Sequence, residues 1–292
     1  MTTLSKADRW FVRTCHAILV FYTMIVALPI FNLLAVALSG ANPVISGKVQ
    51  LWPKEIQLDA FRYVLGADQF FTSLKVSTYL TLAGSVIGVL TAVMAAYPLS
   101  KTKLPFRKPI LMAFVFTMMF SGGVVPQYLL IHKLGLLNSI WSVIFPLVAN
   151  VFNLLLVKNF FENLPEEIEE SAKIDGASQL TILFRIFLPI SKPVIATVSL
   201  FYAVQLWNEY FLSRLYINDL SVTPLQVYLR TVIFEAMDPS GTFSLDSGGM
   251  MNLAPQSIIN STVLLSMIPM VILYPMLQRY FTKGIVIGSV KG

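Results

Sequence analysis

The chain has few charged residues. Only 12% of its 292 residues are Asp, Glu, Lys or Arg, about half the share in a soluble domain, whereas 56% are hydrophobic. This composition excludes an ordinary soluble domain and indicates a protein embedded in lipid. Backbone polar groups in hydrocarbon must pair within the protein, which leaves helices or a closed barrel. Because the apolar runs are long and do not alternate with polar residues, we predict an all-α membrane protein.

Cysteine and histidine are also scarce. Cys15 is the single cysteine, so no internal disulfide can form, and two histidines offer no metal-ligand cluster. His16 and His132 lie near the ends of apolar stretches without a matched nucleophile, which disfavours an intramembrane enzyme. The Gly-x-x-x-x-Gly-Lys-Ser/Thr loop that holds nucleotide phosphates is missing. We therefore predict no catalytic residue, no metal and no cofactor bound by this chain itself.

Six stretches are long and apolar enough to cross a bilayer. A span needs about 20 mostly apolar residues to cover roughly 30 Å of hydrocarbon. The predicted spans cover residues 14–38, 72–98, 109–131, 138–160, 190–213 and 256–281. The first is longer than the apolar core of a signal peptide, so we expect it to be retained. We expect residues 1–292 to form a single transmembrane domain.

Lysine and arginine predict the orientation of these spans. Fourteen of the 21 basic residues lie at the two termini, between the second and third spans, or between the fourth and fifth spans, counting three that lie inside a span within two residues of its end. The positive-inside rule therefore places both termini in the cytoplasm and the long segments 39–71 and 214–255 outside. The net charge of +6 follows from these basic loops and does not indicate nucleic acid as a partner.

The segment between the fourth and fifth spans is acidic. Residues 166–177 hold five of the 15 acidic residues of the chain. Asn163 followed by Pro165 and early acids is typical of a helix start, Gly176 suits a left-handed helix end, and Ser178 can cap a second helix. We predict two short helices joined at Gly176, the second running to about residue 186 and closed by Leu188-Pro189.

This segment has two interpretations. A charged run is most often a solvated loop with no further role. A docking surface is favoured by small residues that allow close approach and by apolar residues that a solvated loop does not need. These residues are Ala172, Ala177, Ile168, Ile174, Leu180 and Phe184.

The same segment carries a family resemblance. The run Glu170-Ser171-Ala172, the run Asp175-Gly176-Ala177, and then Ile186, Leu188 and Pro189 follow one another as in binding-protein-dependent ABC importer permeases, with Ser171 in place of the first alanine. The chain resembles the carbohydrate, maltose-permease-like members of that family. The tail 288–292 and the run Trp207-Asn208-Glu209-Tyr210 are similar to those members. The run 120–126 and the run Pro224-Leu225-Gln226 resemble the aldouronate and alginate oligosaccharide subgroup.

The resemblance implies a six-span inner-membrane subunit with a coupling segment, residues 163–189. Its expected partners are a second homologous permease, two ATPase subunits that bind ATP and Mg, an extracytoplasmic solute-binding protein and membrane lipid. Its expected cargo is an oligosaccharide, acidic as alginate or aldouronate fragments are. The implied ATPase-coupling residues are Glu169, Glu170, Ala172, Asp175, Gly176 and Ala177, and the tail residues Val290, Lys291 and Gly292 are expected to reach the ATPase.

Polar residues inside spans predict a substrate path, because such residues are costly in lipid and usually functional. The candidates are Asn150, Asn153, Gln205, Trp207, Asn208, Glu209 and Tyr210. The spacing of Gln205, Asn208 and Glu209 predicts a shared helix face, and the aromatic rings can stack on sugars. The alternatives are hydrogen bonding between helices and a Glu209–Arg214 ion pair. The resemblance also implies that the partner permease, rather than this chain, holds the sugar.

A self-sufficient secondary transporter or channel is the alternative function. Such proteins carry ionisable residues at mid-membrane and often have inverted repeats. We find neither an internal repeat nor an ionisable residue clearly at the centre of a span, so the importer is the preferred hypothesis.

Overall fold

The computed structural model describes residues 6–120, 122–237 and 253–288, with side chains for 8–120, 122–236 and 253–275. The described residues form helices and no strands, which confirms the predicted all-α class. The helices are α1 (Lys6–Ala37), α2 (Ala41–Ile45), α3 (Asp59–Gly66), α4 (Asp68–Ser100), α5 (Arg107–Met119), α6 (Val124–Lys133), α7 (Trp141–Val148), α8 (Val151–Glu162), α9 (Glu166–Ile174), α10 (Gln179–Ile190), α11 (Lys192–Trp207), α12 (Phe211–Tyr216), α13 (Leu225–Met237) and α14 (Pro255–Gly288).

The described helices provide up to six candidate spans. Three single helices are long and apolar enough to cross a bilayer, namely Asp8–Ala37 in α1, α4, and Pro255–Pro275 in α14. Three further candidates are helix pairs bent at a short break: α5 and α6 by 108°, α7 and α8 by 45°, and α10 and α11 by 85°. The six predicted stretches overlap these candidates. Two of them, 109–131 and 138–160, contain a break, whereas the break at Ser191 lies at the start of the predicted stretch 190–213 and leaves α10 before it.

The breaks have local causes. Gly123, between α5 and α6, has a φ of +88°, which a residue with a side chain rarely adopts. Asn150 begins α8 as its cap, since its Oδ1 accepts from the backbone N of Asn153 at 3.1 Å. Ser191 separates α10 from α11, immediately before Lys192-Pro193. Apolar content alone does not reveal such caps within an apolar stretch.

Residues 69–228 and 268–292 form one compact unit. Its core contains α4 and α11 packed closely at two glycines. A Cβ added to Gly84 would lie 2.6 Å from Leu206 Cδ1, and one added to Gly88 would lie 2.7 Å from Tyr202 Cε1. Tyr202 is fully buried and its hydroxyl donates to the carbonyl of Val148 at 2.9 Å. The two glycines therefore permit a helix contact that larger residues would block.

Residues 1–68 and 229–267 form the other unit. Its first helix, α1, exposes large apolar side chains along most of its length, as a lipid-facing span does. Ala35 and Val36, near the end of α1, pack with Val49 of the following loop. The Ser257 hydroxyl at the start of α14 donates to the carbonyl of Val36 at 3.2 Å. That residues 1–292 act as a single domain stays a prediction.

Candidate functional site

The structure contains both predicted helices of the coupling segment. Helix α9 begins at Glu166, and its first turn holds three of its four glutamates, where negative charge is favourable. Asn163 does not cap it, contrary to the prediction. Asn163 ends α8 instead, and its Nδ2 donates back to the carbonyl of Asn159 at 2.7 Å. Pro165 stands at the cap position of α9.

The turn between α9 and α10 is built as the sequence predicts. Gly176 has a φ of +78°, and its backbone N donates to the carbonyl of Lys173 at 3.0 Å. The backbone N of Ala177 donates to the carbonyl of Ala172, also at 3.0 Å. This pair of bonds is a Schellman motif, which closes a helix with a left-handed residue. We call α9, residues 175–178 and α10 the elbow.

Ser178 caps α10 as predicted, since its Oγ accepts from the backbone N of Thr181 at 3.2 Å. The predicted end of this helix is wrong. A widened, π-helical turn at Leu183–Phe187 precedes Pro189, and the helix continues to Ile190. Widened turns of this kind loosen the hydrogen-bond ladder and are frequent at functional sites. The second arm of the elbow is therefore longer than predicted and runs up to the start of α11.

An ion pair fastens the elbow to the end of α4. Glu169 is 9% exposed and accepts from the Lys101 ammonium, which lies just beyond α4. Lys173 contacts the other carboxylate oxygen at 2.7 Å. The Lys101 Nζ also lies 4.5 Å from the centre of the Tyr97 ring and 4.3 Å from that of Phe187, so it bridges α4, α9 and α10.

The carboxyl group of Glu169 is held in its charged form. Burial alone would raise its pKa, but the hydrogen bonds and positive charges of Lys101 and Lys173 more than offset burial, and the pKa is lowered. The ion pair is therefore complete at neutral pH. A further bond reinforces the contact, since the Tyr97 hydroxyl donates to Gln179 Oε1 at 2.7 Å.

A second ion-pair cluster lies at the end of α8. Glu162 accepts from Arg107 of α5 and from Lys158 at 2.5 Å. The Arg107 Nε also donates to the carbonyl of Leu99 at 2.8 Å. Between this cluster and the elbow lies a cavity of about 620 Å³, lined by both charged and aromatic side chains. The ends of α4, α5 and α8 are thus tied together beside the elbow.

The predicted coupling residues divide into two sets by exposure. Glu169 and Ala172 are buried and face the core, three positions apart on α9. Glu170, Asp175 and Gly176 are exposed, and Ala177 is half-buried. Two apolar side chains are exposed beside them: Ile174 at 87% and Leu180 at 62%. The outward face of the elbow therefore combines charge with unburied apolar surface, which is characteristic of a docking surface.

The predicted substrate-path residues are only partly brought together. Asn150 Nδ2 lies 3.4 Å from Gln205 Oε1, which links α8 to α11. Asn153 is 1% exposed, and neither polar atom of its side chain has a partner within the described residues. Trp207 is 5% exposed and lines an apolar groove of about 400 Å³ with residues of α4 and α14. Its ring has no free face for a sugar in this structure.

The helical face predicted for Gln205, Asn208 and Glu209 stops before Glu209, because α11 ends at Trp207 with Asn208 as its cap. Asn208 is exposed and its Nδ2 donates to the carbonyl of Val204 at 2.9 Å. Glu209 Oε1 accepts from the backbone N of Leu212 at 2.7 Å, at the start of α12. Tyr210, half-buried, lies at the cap position of α12.

An ion pair between Glu209 and Arg214 is not among the ion pairs of the described residues. The tail residues Val290, Lys291 and Gly292 lie outside the described residues.

Sequence reasoning missed the residues that hold the elbow. In the sequence, Lys101 contributes only to the predicted orientation, and Tyr97, Gln179 and Phe187 carry no recognisable signal. Lys101 and Glu169 are 68 positions apart in the sequence, and Tyr97 and Gln179 are farther apart still. No local sequence pattern can therefore reveal either pairing. Gly84 and Gly88 were also missed, although two glycines four apart in an apolar helix are a known signal of close helix contact.

The described residues combine up to six candidate spans with an exposed elbow between two of them, an arrangement that fits a membrane transport subunit. Residues 84–287 match the family described as binding-protein-dependent transport system inner membrane component. The chain is 40% identical to the polygalacturonan/rhamnogalacturonan transport system permease protein YtcP of Bacillus subtilis (strain 168), over 98% of this chain and 99% of that protein. It is 43% identical to protein LplC of the same organism, over 83% and 81% of the two chains. The chain therefore belongs to the family of inner membrane components of binding-protein-dependent transport systems, which confirms the resemblance.

Solved structures agree with this assignment. One chain of a bacterial ABC transporter involved in the import of the acidic polysaccharide alginate superposes with a TM-score of 0.86. It is 30% identical in sequence, over 96% of this chain and 100% of that one. A second match, at 14% identity and a TM-score of 0.59, supports the fold alone. As a non-catalytic membrane subunit of such a system, the chain is not a self-sufficient transporter.

Proposed function

We propose that this chain is one of two membrane subunits of an ATP-driven importer for acidic oligosaccharides, and that the elbow transmits the motion of an ATPase partner to the spans. The observation that carries the proposal is the two-sided elbow. Its inner side is fastened by the Lys101–Glu169 ion pair, and its outer side exposes Ile174 and the charges of Glu170 and Asp175.

The two sides have different roles. Glu169 and Ala172 attach the elbow to the rest of the subunit, whereas Glu170, Asp175 and Ala177 contact the ATPase. Gly176 sets the angle between α9 and α10, because its φ of +78° suits glycine far better than other residues. An apolar side chain as exposed as Ile174 gains most by burial in a partner, and the surrounding carboxylates restrict which partner fits.

Firm attachment is a mechanical requirement. Changing a population of outward-open and inward-open states from 1:99 to 99:1 takes about 5.5 kcal/mol of differential interaction. An elbow that swung freely would move without moving the spans. The Lys101 contact with α4, α9 and α10 supplies the attachment, and the cluster around Glu162 ties α5 and α8 to the same place.

The remaining partners follow from the family. We propose a second, homologous permease, an extracytoplasmic solute-binding protein, and two ATPase subunits that carry ATP and Mg. Both termini and the elbow face the cytoplasm, in agreement with the distribution of Lys and Arg. We also propose that residues 290–292 contact the ATPase.

The substrate class is supported by two relatives. YtcP is named for polygalacturonan and rhamnogalacturonan transport, and the structural relative belongs to a transporter of the acidic polysaccharide alginate. Both kinds of polysaccharide contain uronic acids. Within this chain, we propose that Asn150, Gln205 and Asn208 contribute polar groups to the path, while the partner permease makes the main contacts with the sugar.

The test is ATP hydrolysis by the four-subunit complex reconstituted in lipid. We expect the solute-binding protein loaded with a uronate oligosaccharide, such as trigalacturonate, to stimulate hydrolysis and uptake, and a neutral trisaccharide of equal length to do neither. Equal stimulation by both sugars would contradict the acidic substrate. Uptake without the ATPase subunits would contradict the importer itself.

A further inference from the structure

The loop that follows α1 is closed and ordered. Residues 38–58 return on themselves, since the backbone N of Gly40 donates to the carbonyl of Lys54 at 3.1 Å and that of Gln57 to the carbonyl of Leu38 at 3.0 Å. These two bonds hold the ends of the loop beside each other. The backbone between these two bonds is therefore constrained, and the side chains of the loop project from a constrained backbone.

The loop exposes large apolar side chains at its tip, which consists of Leu51 and Trp52. Trp52 is 81% exposed and Leu51 beside it is 43% exposed. The exposure of these two side chains does not reflect poor packing of the whole loop, because Val49 is buried against Ala35 and Val36 of α1. A tryptophan this exposed is costly in water, so its position calls for an apolar or interfacial environment.

One hydrogen bond fixes the level of the tip along the axis of α1. The side-chain Nδ2 of Asn32 donates to the carbonyl of Gln50 at 2.6 Å. Asn32 lies five residues before Ala37, the last residue of α1, which is about 7.5 Å back along the helix axis at 1.5 Å per residue. Leu51 and Trp52 therefore lie level with the last turns of α1 and not beyond its end.

The last turns of α1 lie at the edge of the bilayer. No charged residue occurs between Arg13 and Lys48. Since about 20 apolar residues cover the hydrocarbon, a span that starts just after His16 reaches the far edge near Val36. Asn32 is inside that edge by about one turn, so the segment bonded to it lies at the boundary between hydrocarbon and headgroups.

We propose that Leu51 and Trp52 insert into the bilayer interface at the C-terminal end of α1, and that the loop is a lipid-seated anchor rather than a docking surface for a protein. Tryptophan is enriched at this depth because its ring is apolar and its N–H is polar. Lys48 and Lys54 flank the tip, and both are exposed, so that their ammonium groups can reach lipid phosphates. The leaflet is the outer one in the orientation proposed above, but the inference does not depend on the proposed function.

The single cysteine makes the test direct. In a Cys15→Ala background, a nitroxide label is placed at Trp52→Cys, with Lys48→Cys of the same loop as the matched control, and the assembled transporter is reconstituted in nanodiscs. We expect the label at 52 to be accessible to oxygen, which dissolves in lipid, and shielded from a water-soluble nickel chelate. The ratio of the two accessibilities should be several-fold higher at 52 than at 48.

The contrary results are equally clear. A label at 52 that the nickel chelate reaches as readily as the label at 48 overturns the proposal. A label at 52 that loses oxygen access and mobility when the solute-binding protein is added shows a protein-docking surface instead, and also overturns it. A second measurement avoids the label: brominated lipid should quench a larger share of tryptophan fluorescence in the native chain than in Trp52→Phe, and an equal share contradicts the anchor.

Discussion

Replacing Lys101 with methionine removes the ammonium group that holds Glu169 and keeps an unbranched side chain of similar length. The structure predicts that this change loosens α9 without unfolding the protein. Glu169 then keeps only Lys173, which is 48% exposed and lies one turn away on the same helix. A contact within α9 cannot fasten α9 to α4, so the attachment of the elbow weakens.

The size of the effect follows from the exposure of the two side chains. The Lys101 and Glu169 side chains are 28% and 11% exposed. Exposed ion pairs contribute up to about 1 kcal/mol, and breaking a fully buried pair costs about 3–5 kcal/mol. This partly buried pair, with its two ring contacts, falls between them at about 2 kcal/mol. Because about 1.4 kcal/mol is a tenfold change in an equilibrium, local opening of α9 should become about 30-fold more frequent.

Hydrogen exchange of the α9 amides in the assembled transporter measures this opening directly. We expect exchange about 30-fold faster in Lys101→Met, with amides of α4 and α11 unchanged. ATP hydrolysis should persist while its stimulation by the loaded solute-binding protein falls, because the ATPase still turns over but no longer moves the spans.

A double-mutant cycle tests whether Lys101 and Glu169 act as a pair. If the pair acts as described, Lys101→Met combined with Glu169→Gln should lose little more protection than either change alone. Strictly additive losses would show that the two side chains act independently. Unchanged exchange of α9 in Lys101→Met would refute the attachment altogether.

Three further predictions follow from the same structure. Gly176→Val should uncouple ATP hydrolysis from uptake, whereas Gly176→Asn should largely retain the coupling. No atom lies within 4 Å of a Cβ added at this position, so the two variants differ only in how well each residue tolerates a φ of +78°. Equal uptake by the two variants would contradict this prediction. Gly88→Ala should lower the free energy of unfolding by about 1–3 kcal/mol, seen as a lower melting temperature in detergent, because the buried Tyr202 ring cannot move aside. Gly84→Ala should lower it less, since its neighbour is the flexible end of a leucine side chain. The reverse order of the two variants would be inconsistent with the packing. Protection of α9, corrected for the intrinsic exchange rate at each pH, should be constant above the ordinary glutamate pKa of about 4.3 and fall as the pH drops through the lowered pKa of Glu169. The same fall in protection in Glu169→Gln would show another group to be responsible.

The spans and the elbow were predictable because their signals are local. Apolar length identifies a stretch that can cross a bilayer, and Gly176 with Ser178 marks a helix end followed by a new cap within three residues. The breaks inside two spans, at Gly123 and at Asn150, were not predicted. The break at Asn150 depends on whether a polar residue caps a new helix or continues the old one, and apolar content does not decide between them.

The orientation of side chains around the elbow was beyond sequence reasoning. Five acidic residues in one run look alike, yet Glu169 faces inward and Glu170 faces solvent. The difference follows from which face of α9 packs inward, and the Lys101 that pairs with Glu169 on that face is 68 positions away in the sequence. Likewise, polar spacing suggested a common face for Gln205 and Glu209, but α11 ends between them.

The most direct measurement follows the exposed tip of the elbow during assembly. A nitroxide label at Ile174→Cys, in the Cys15→Ala background, reports mobility and access of a water-soluble relaxing agent in nanodiscs. We predict a mobile, accessible label on the permease pair alone and an immobilised, shielded label once the ATPase subunits are bound. A label that stays mobile and accessible in the complete, ATP-hydrolysing transporter would contradict the coupling role of the elbow.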